Sequence, residues 1–92
     1  MKVGQLLGEL DALHLTNTTM VVFFSDHGWS LGENGDWKKF ALTELGTRVP
    51  LIIKVPWLEH VAGTRTPALT ELVDLFPTMA ELAGLPPPTV HP

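Results

Sequence analysis

Apolar residues recur at helical spacing along the first part of the chain. Residues three or four positions apart lie on one face of a helix, and the stripe here comprises Val3, Leu6, Leu7, Leu10 and Leu13. A turn-forming run, Thr16-Asn17-Thr18, follows the stripe and stops the pattern. The spacing therefore predicts a helix over residues 3–13.

Two continuous apolar runs predict β-strands, at residues 19–24 and 49–55. Neither run alternates apolar with polar positions, which is typical of strands covered on both faces, as in a parallel sheet. Pro50 is compatible only with the start of the second strand, where a ladder donor is dispensable. Because two buried strands do not make a stable sheet, we expect both to need neighbouring strands.

The two predicted strands are joined by a long connection, residues 25–48. A loop of this length without regular structure is usually functional or disordered. Three aromatic residues within it argue against disorder, namely Trp29, Trp37 and Phe40. We therefore expect an active-site loop between the strands.

A second helical stripe predicts a helix over residues 74–83. Asp74 has the side chain of an N-cap residue, and Gly84 is typical of the position just beyond a helix C-terminus. The prolines that follow forbid continuation of the helix, so the tail to Pro92 is expected to be extended. The order of helix, strand, loop, strand and helix indicates part of an α/β sandwich.

Composition excludes several classes of protein. The 92 residues are 45% hydrophobic and 17% charged, which is typical of a globular chain rather than a disordered one. The net charge of −4 without a basic cluster argues against nucleic-acid binding. No apolar stretch approaches the roughly 20 residues of a membrane span, and the first residues do not have the pattern of a secretory signal. The absence of cysteine excludes disulfides and thiolate sites.

The side chains that could carry chemistry follow the first predicted strand directly. Asp26 and His27 stand where open α/β sheets bind ligands, outside the carboxyl end of a strand. A carboxylate beside an imidazole could be half of a metal site, with calcium, magnesium, zinc or manganese as candidates. In the alternative interpretation, Asp26 caps a turn and His27 is an ordinary polar residue.

The flanking residues are equally open to two interpretations. Lys38 and Lys39 could set an ammonium group against an anionic substrate, or both could be solvated surface. Gly28, Gly32 and Gly35 could let the backbone approach a ligand closely, or they could simply punctuate the loop.

The sequence Asn17-Thr18-Thr19 matches the N-glycosylation pattern. The same residues also suit a turn between the first helix and the first strand, and the two interpretations are compatible.

The run from Ser25 to Lys39, Ser-Asp-His-Gly-Trp-Ser-Leu-Gly-Glu-Asn-Gly-Asp-Trp-Lys-Lys, closely resembles the second metal-binding segment of the sulfatase family. The resemblance extends to residues 49–53, 73–78 and 82–85, in family order and at family spacing. It covers nearly the whole chain. The Asp-His pair, where many arylsulfatases look like Asp-Asn, favours the branch that acts on iduronate and choline sulfates.

This resemblance implies a fold and a site. The fold would be an alkaline-phosphatase-like α/β sandwich, and residues 1–92 would be part of a single catalytic domain. A Ca²⁺ ion would be held by Asp26 and His27 together with upstream carboxylates that this chain lacks. Lys39 would contact the sulfate group, whereas Lys38 matches a variable position.

The family nucleophile is a formylglycine made from a cysteine, and this chain contains no cysteine. The resemblance therefore implies a sulfuric ester hydrolase whose isolated segment is inactive. The implied substrate is the 2-sulfate of iduronate in heparan and dermatan sulfate, and the implied location is the lysosome. The alternatives are a choline sulfatase, another hydrolase of the alkaline-phosphatase superfamily, or a non-catalytic truncated product.

Overall fold

The computed structural model describes residues 2–39 and 42–86. Phe40 of the predicted active-site loop and the predicted extended tail from Pro87 lie outside these residues. The chain forms two compact units, Met1–Ala62 and Gly63–Pro92. Within the described residues, no helix is long and apolar enough to cross a membrane.

The described residues of the first unit form two α-helices, four strands and two 3-10 turns. In chain order these are α1 (Lys2–Ala12), β1 (Val21–Phe24), β2 (Ser30–Leu31), a 3-10 turn (Glu33–Gly35), β3 (Trp37–Lys38), α2 (Glu44–Thr47), β4 (Leu51–Lys54) and a second 3-10 turn (Glu59–Val61).

Helix α1 ends in a Schellman motif built on a histidine. His14 adopts a left-handed conformation with a φ of 58°. Its N–H donates to the carbonyl of Asp11 at 3.0 Å, and the N–H of Leu15 donates to the carbonyl of Leu10 at 2.9 Å. This pair of bonds satisfies carbonyls that the last helical turn leaves without partners. The chain thus leaves the helix through a defined turn, which leads to β1.

Strands β1 and β4 pair antiparallel, with Val21 opposite Lys54 and Phe24 opposite Leu51. The expectation of parallel strands was therefore wrong for this pair. A continuous apolar run indicates that both faces of a strand can be covered, but it carries no information about strand direction. A parallel pair would also need a long crossover connection, usually helical, whereas the helix between these strands has only four residues.

The connection at residues 25–48 contains regular structure that the sequence pattern did not predict. Strands β2 and β3 form an antiparallel hairpin in which Ser30 lies opposite Lys38 and Leu31 opposite Trp37. Each strand has only two residues, too few to show a periodic pattern. In its described residues, the predicted active-site loop is therefore a short turn, a hairpin and a helical turn in succession.

In the second unit, residues 63–86 contain a 3-10 turn (Leu72–Asp74) and α3 (Leu75–Leu82). Asp74 occupies the N-cap position, but its side chain makes no capping hydrogen bond because its backbone is already helical in the preceding turn. Gly84 has a φ of 71°, and the N–H groups of Gly84 and Leu85 close a Schellman motif at 2.9 Å each. Leu75 is the one apolar side chain classed as buried in the described part of the chain, at 7% exposed.

Candidate metal site

The chain leaves β1 through a turn that is held by a serine side chain. The hydroxyl of Ser25 donates to the backbone carbonyl of His27 at 2.7 Å, and the contact is partly buried. Short side-chain bonds of this kind replace the strand ladder and turn the backbone locally. As a result, Asp26 and His27 stand at the carboxyl end of β1, with 80% and 31% of their side chains exposed.

The imidazole of His27 has a fixed orientation. Its Nδ1 atom lies 2.7 Å from the carbonyl oxygen of Gly28. A carbonyl oxygen can only accept a hydrogen bond, so Nδ1 carries the proton. In the neutral ring the Nε2 atom is then left with a free lone pair. This is the tautomer in which a histidine binds a metal through Nε2.

The Nε2 atom of His27 and the carboxylate of Asp26 lie close together. Nε2 lies 3.6 Å from Oδ2 of Asp26. Two ligands at right angles around one Ca²⁺ ion, each 2.3–2.6 Å from it, would be separated by about 3.3–3.7 Å. The observed distance therefore fits two ligands of one cation. Among residues 2–39 and 42–86, no third acidic or histidine side chain completes a metal-binding group with them.

Glycine is required at position 28 because the backbone of α2 lies directly against it. Its N–H donates to the carbonyl of Gly46 in α2 at 2.8 Å. A Cβ atom at Gly28 would lie only 1.8 Å from the carbonyl oxygen of Leu45. Gly32 and Gly35 differ from it, since both have a positive φ, 110° and 75° respectively, which favours glycine in turns. Sequence reasoning missed Leu45 and Gly46, because no local spacing rule links them to Gly28.

The hairpin returns the chain toward the Asp26–His27 turn. Lys38 is paired with Ser30, and Lys39 follows directly after the end of β3. Both lysine side chains are exposed. Lys38 has a φ of 83°, an uncommon conformation for a residue other than glycine. In the sequence, His27 and Lys39 are thus separated by the β2–β3 hairpin.

The tip of the hairpin is held by a carboxylate. An oxygen of Glu33 accepts a hydrogen bond from the backbone N–H of Leu31 at 2.6 Å. This bond, followed by one from its own N–H, lowers the pKa of the Glu33 carboxyl below its ordinary value. Trp37 packs close to Gly32, since a Cβ built on that glycine would be 3.2 Å from Cζ2 of the indole.

The strand residue that begins the hairpin is deeply buried. Ser30 is 1% exposed, and its hydroxyl has no hydrogen-bond partner among the described residues. The preceding residue, Trp29, is 55% exposed, and its ring centre lies 6.2 Å from that of His27 at a tilt of 35°. An indole therefore stands beside the candidate metal ligand.

Asn17 lies in the turn that joins α1 to β1 and is exposed. The hydroxyl of Thr18 donates to the carbonyl of Leu15 at 3.2 Å and holds this turn. Together with Asp11, His14 and Thr16, Asn17 lines an open depression on the surface. The side-chain amide is thus accessible in a surface turn, while its glycosylation stays a prediction.

Comparison with known proteins identifies the family. The Sulfatase family model matches residues 1–85. The chain belongs to the sulfatase family. It is 41% identical to iduronate 2-sulfatase from Mus musculus and to that from Homo sapiens, over 95% of this chain and 20% of each relative. It is also 39% identical to a choline-sulfatase from Rhizobium meliloti, over 99% of this chain and 17% of that protein.

The solved structure of BT4656 in complex with its substrate D-Glucosamine-2-N, 6-O-disulfate superposes with a TM-score of 0.84 and 35% identity. The match covers 96% of this chain and 18% of BT4656. The prediction of an alkaline-phosphatase-like α/β fold, of which this chain is a partial segment, is therefore confirmed. The chain spans about a fifth of the length of the sulfatases it matches.

Proposed function

We propose that this segment supplies half of the metal site and one sulfate-contacting cation to a sulfatase catalytic centre. The observation that carries the proposal is the arrangement of Asp26 and His27, with Nε2 and Oδ2 separated by 3.6 Å and Nδ1 held by the Gly28 carbonyl. A negatively charged oxygen and a neutral imidazole nitrogen are then presented together to one cation.

The chemistry divides among three side chains. A bound Ca²⁺ ion would act as a Lewis acid toward the sulfate oxygens. Asp26 and His27 would hold that ion, and the exposed position of the Asp26 carboxylate leaves room for further oxygen ligands. The ammonium group of Lys39 would offset charge on the sulfate oxygens, an electrostatic role that suits a positioned cation.

The nucleophile would have to come from outside these residues. The 92 residues include neither a cysteine nor a serine in a Ser-x-Pro-Ser-Arg context from which a formylglycine could be made. We propose that the chain alone does not turn over sulfate esters, and that the remaining metal carboxylates also belong to other parts of the catalytic domain.

For the substrate, we propose the 2-sulfate of iduronate in heparan and dermatan sulfate, cleaved in the lysosome. The two iduronate 2-sulfatases at 41% identity support this choice. The sulfated glucosamine bound by BT4656 supports the broader class, a sulfated sugar of a glycosaminoglycan.

A choline sulfate substrate is the second candidate, and the alignment lengths favour it. The match to the mouse iduronate enzyme extends over 112 positions, more than the 92 residues of this chain. That relative therefore carries inserted residues that this chain lacks. The choline-sulfatase of Rhizobium meliloti aligns over 94 positions, so it has nearly the same spacing throughout.

A chimera tests both the site and the substrate. This chain would replace the matching segment of mouse iduronate 2-sulfatase and, in a second chimera, that of the choline-sulfatase. We expect turnover of the corresponding substrate in at least one chimera, and a fall of at least a hundredfold in kcat/KM for Asp26→Asn. Asp36→Asn, a carboxylate in the hairpin, is the matched control and should stay within about threefold. Equal activity of the Asp26 variant and its parent chimera would refute the metal assignment.

We also propose that Asn17 is N-glycosylated when the protein passes through a secretory pathway. Its exposure in a surface turn supports this proposal. Expression in a secretory host should give a mass shift that an amidase removes, and Thr19→Ala should abolish the shift. An unshifted wild-type chain would count against it.

A further inference from the structure

A backbone contact joins the candidate metal ligands to α2. We propose that Gly28 is a positioning residue for His27: it rests on the Leu45–Gly46 peptide and holds the imidazole in the metal-binding tautomer. The inference rests on the proposed function, in which His27 binds a cation through Nε2, and it assigns a role to residues that do not themselves contact the ion.

The first step is the closeness of the two backbones. The N–H of Gly28 donates to the Gly46 carbonyl at 2.8 Å. A Cβ at Gly28 would meet the Leu45 oxygen at 1.8 Å and the Leu45 carbonyl carbon at 2.9 Å. Real Cβ atoms essentially never come within 3.0 Å of such atoms. Any side chain at position 28 must therefore push the turn away from α2 by more than 1 Å.

The second step is that the same residue holds the imidazole. The Gly28 carbonyl accepts the Nδ1 proton of His27 at 2.7 Å, while the Gly28 N–H is bonded to α2. Gly28 thus bonds to α2 through its N–H and to the imidazole of His27 through its carbonyl. A displacement of Gly28 would move the acceptor away from Nδ1, and the ring would be free to rotate or to change tautomer.

The third step explains why the Gly46 carbonyl is available. In a longer helix it would accept a bond from the N–H four residues ahead, but that residue is Pro50, which has no N–H. Gly46 is buried in the short helix, so its carbonyl would lack a partner without Gly28. The Gly28 N–H of the loop and the Gly46 carbonyl of the helix are therefore each other's hydrogen-bond partners.

The expected size of the effect follows from metal-site chemistry. Histidines that bind metals almost always donate their other ring N–H to an acceptor, and loss of that acceptor costs roughly 10- to 100-fold in metal affinity. Gly28 supplies this acceptor through its backbone. A methyl group at position 28 can displace this acceptor without deleting any side chain at the site.

The experiment measures metal affinity and the state of the His27 ring in the full 92-residue chain. Tb³⁺ serves as the probe, because Trp29 lies beside His27 and can sensitise its luminescence. Nitrogen-15 NMR of the metal-free chain reports which ring nitrogen carries the proton. We expect Gly28→Ala to weaken Tb³⁺ binding about 10- to 100-fold and to give a mixture of His27 tautomers, with an unchanged far-UV circular dichroism spectrum.

Gly8→Ala is the matched control, since a Cβ at Gly8 meets nothing within 4 Å. It should leave the affinity and the ring signals as in the wild type. If Gly28→Ala fails to fold, a synthetic chain with an ester in place of the Gly28 amide removes the bond to Gly46. The ester also weakens the His27 carbonyl as the acceptor of the Ser25 hydroxyl, an effect that Ser25→Ala measures by itself. The ester chain should bind Tb³⁺ several-fold more weakly and lose the single tautomer.

The outcomes separate the two proposals. Wild-type affinity and a single Nδ1-protonated ring in Gly28→Ala, or in the ester chain where Gly28→Ala does not fold, would overturn the positioning role. A wild-type chain that fails to bind Tb³⁺ at Asp26 and His27 would count against the proposed function, while the ring signals of the metal-free variants would still decide the role of Gly28.

Discussion

The loop that carries the candidate site and helix α1 are built in opposite ways. The turn from Ser25 to Gly28 is fixed by specific polar contacts, namely the bonds of Ser25 and Gly28. Helix α1 has a regular apolar stripe but no buried residue, and Leu6 is 63% exposed. The site geometry is thus held by contacts within this chain, whereas the stripe of α1 finds no core here.

In this sulfatase segment, the polar contacts that orient the candidate metal ligands and the apolar burial that stabilises a fold lie in different parts of the chain. Polar contacts, one local to the turn at Ser25 and one between Gly28 and the distant Gly46, orient Asp26 and His27 without a large core around them. The burial that normally supplies most of the folding free energy is scarce in the described residues, where Leu75 is the one apolar side chain classed as buried. The chain covers only about a fifth of its relatives, so α1 and the sheet have the exposed apolar faces expected of a partial domain.

The largest expected effect concerns the lysine pair at the end of the hairpin. In an active chimera, Lys39→Ala should lower kcat/KM about a hundredfold, in the range seen when one charge-stabilising group is removed. Lys38→Ala is the matched control and should change kcat/KM less than threefold. Steady-state kinetics on the sulfate ester measure both. A larger loss for Lys38 than for Lys39 would reverse the assignment taken from the family.

The second effect compares core and surface within the isolated chain. Leu75→Ala should lower the free energy of unfolding of the second unit by about 2–3 kcal/mol, because it removes a buried side chain. Leu6→Ser, at an exposed position of α1, should change stability by less than about 0.5 kcal/mol. Urea titration followed by circular dichroism measures both. A large loss for Leu6→Ser would show that α1 packs against something in solution.

The smallest effect is the acid response of the hairpin. The folded pKa of Glu33 lies below its ordinary value because its carboxylate accepts the Leu31 N–H. The stabilisation is therefore present above the ordinary glutamate pKa of about 4.3 and is lost as the pH falls through the lowered value. Fluorescence of Trp37, which packs near Gly32, should follow this loss.

Glu33→Gln is the control for this acid response. The variant should lose the part of the fluorescence change that occurs below the ordinary glutamate pKa of about 4.3. The change that comes from the other carboxylates should remain. An identical pH profile in the variant would show that Glu33 does not hold the hairpin tip.

The hydrophobic pattern predicted part of an α/β sandwich, and the resemblance of residues 25–39 to the sulfatases predicted the fold family, which is confirmed. The metal site itself stays a prediction. Asp26 and His27 are adjacent and follow an apolar run, so their position after a strand could be predicted from the chain alone. The antiparallel pairing of β1 with β4 could not, because an apolar run has no direction. The contact between Gly28 and Gly46 could not either, because it joins two backbone groups that no side-chain pattern marks.

Pro50 has a consequence that extends beyond strand β4. In this structure the chain is already extended at Arg48, so α2 ends before position 50. If α2 were longer by one turn, the N–H of any other residue at position 50 would be directed at the Gly46 carbonyl, as in a regular helix. Proline has no N–H to donate, so it removes a second donor to the oxygen that Gly28 uses and disfavours a longer α2. Pro50 thus constrains the surroundings of His27 from outside the turn that carries it.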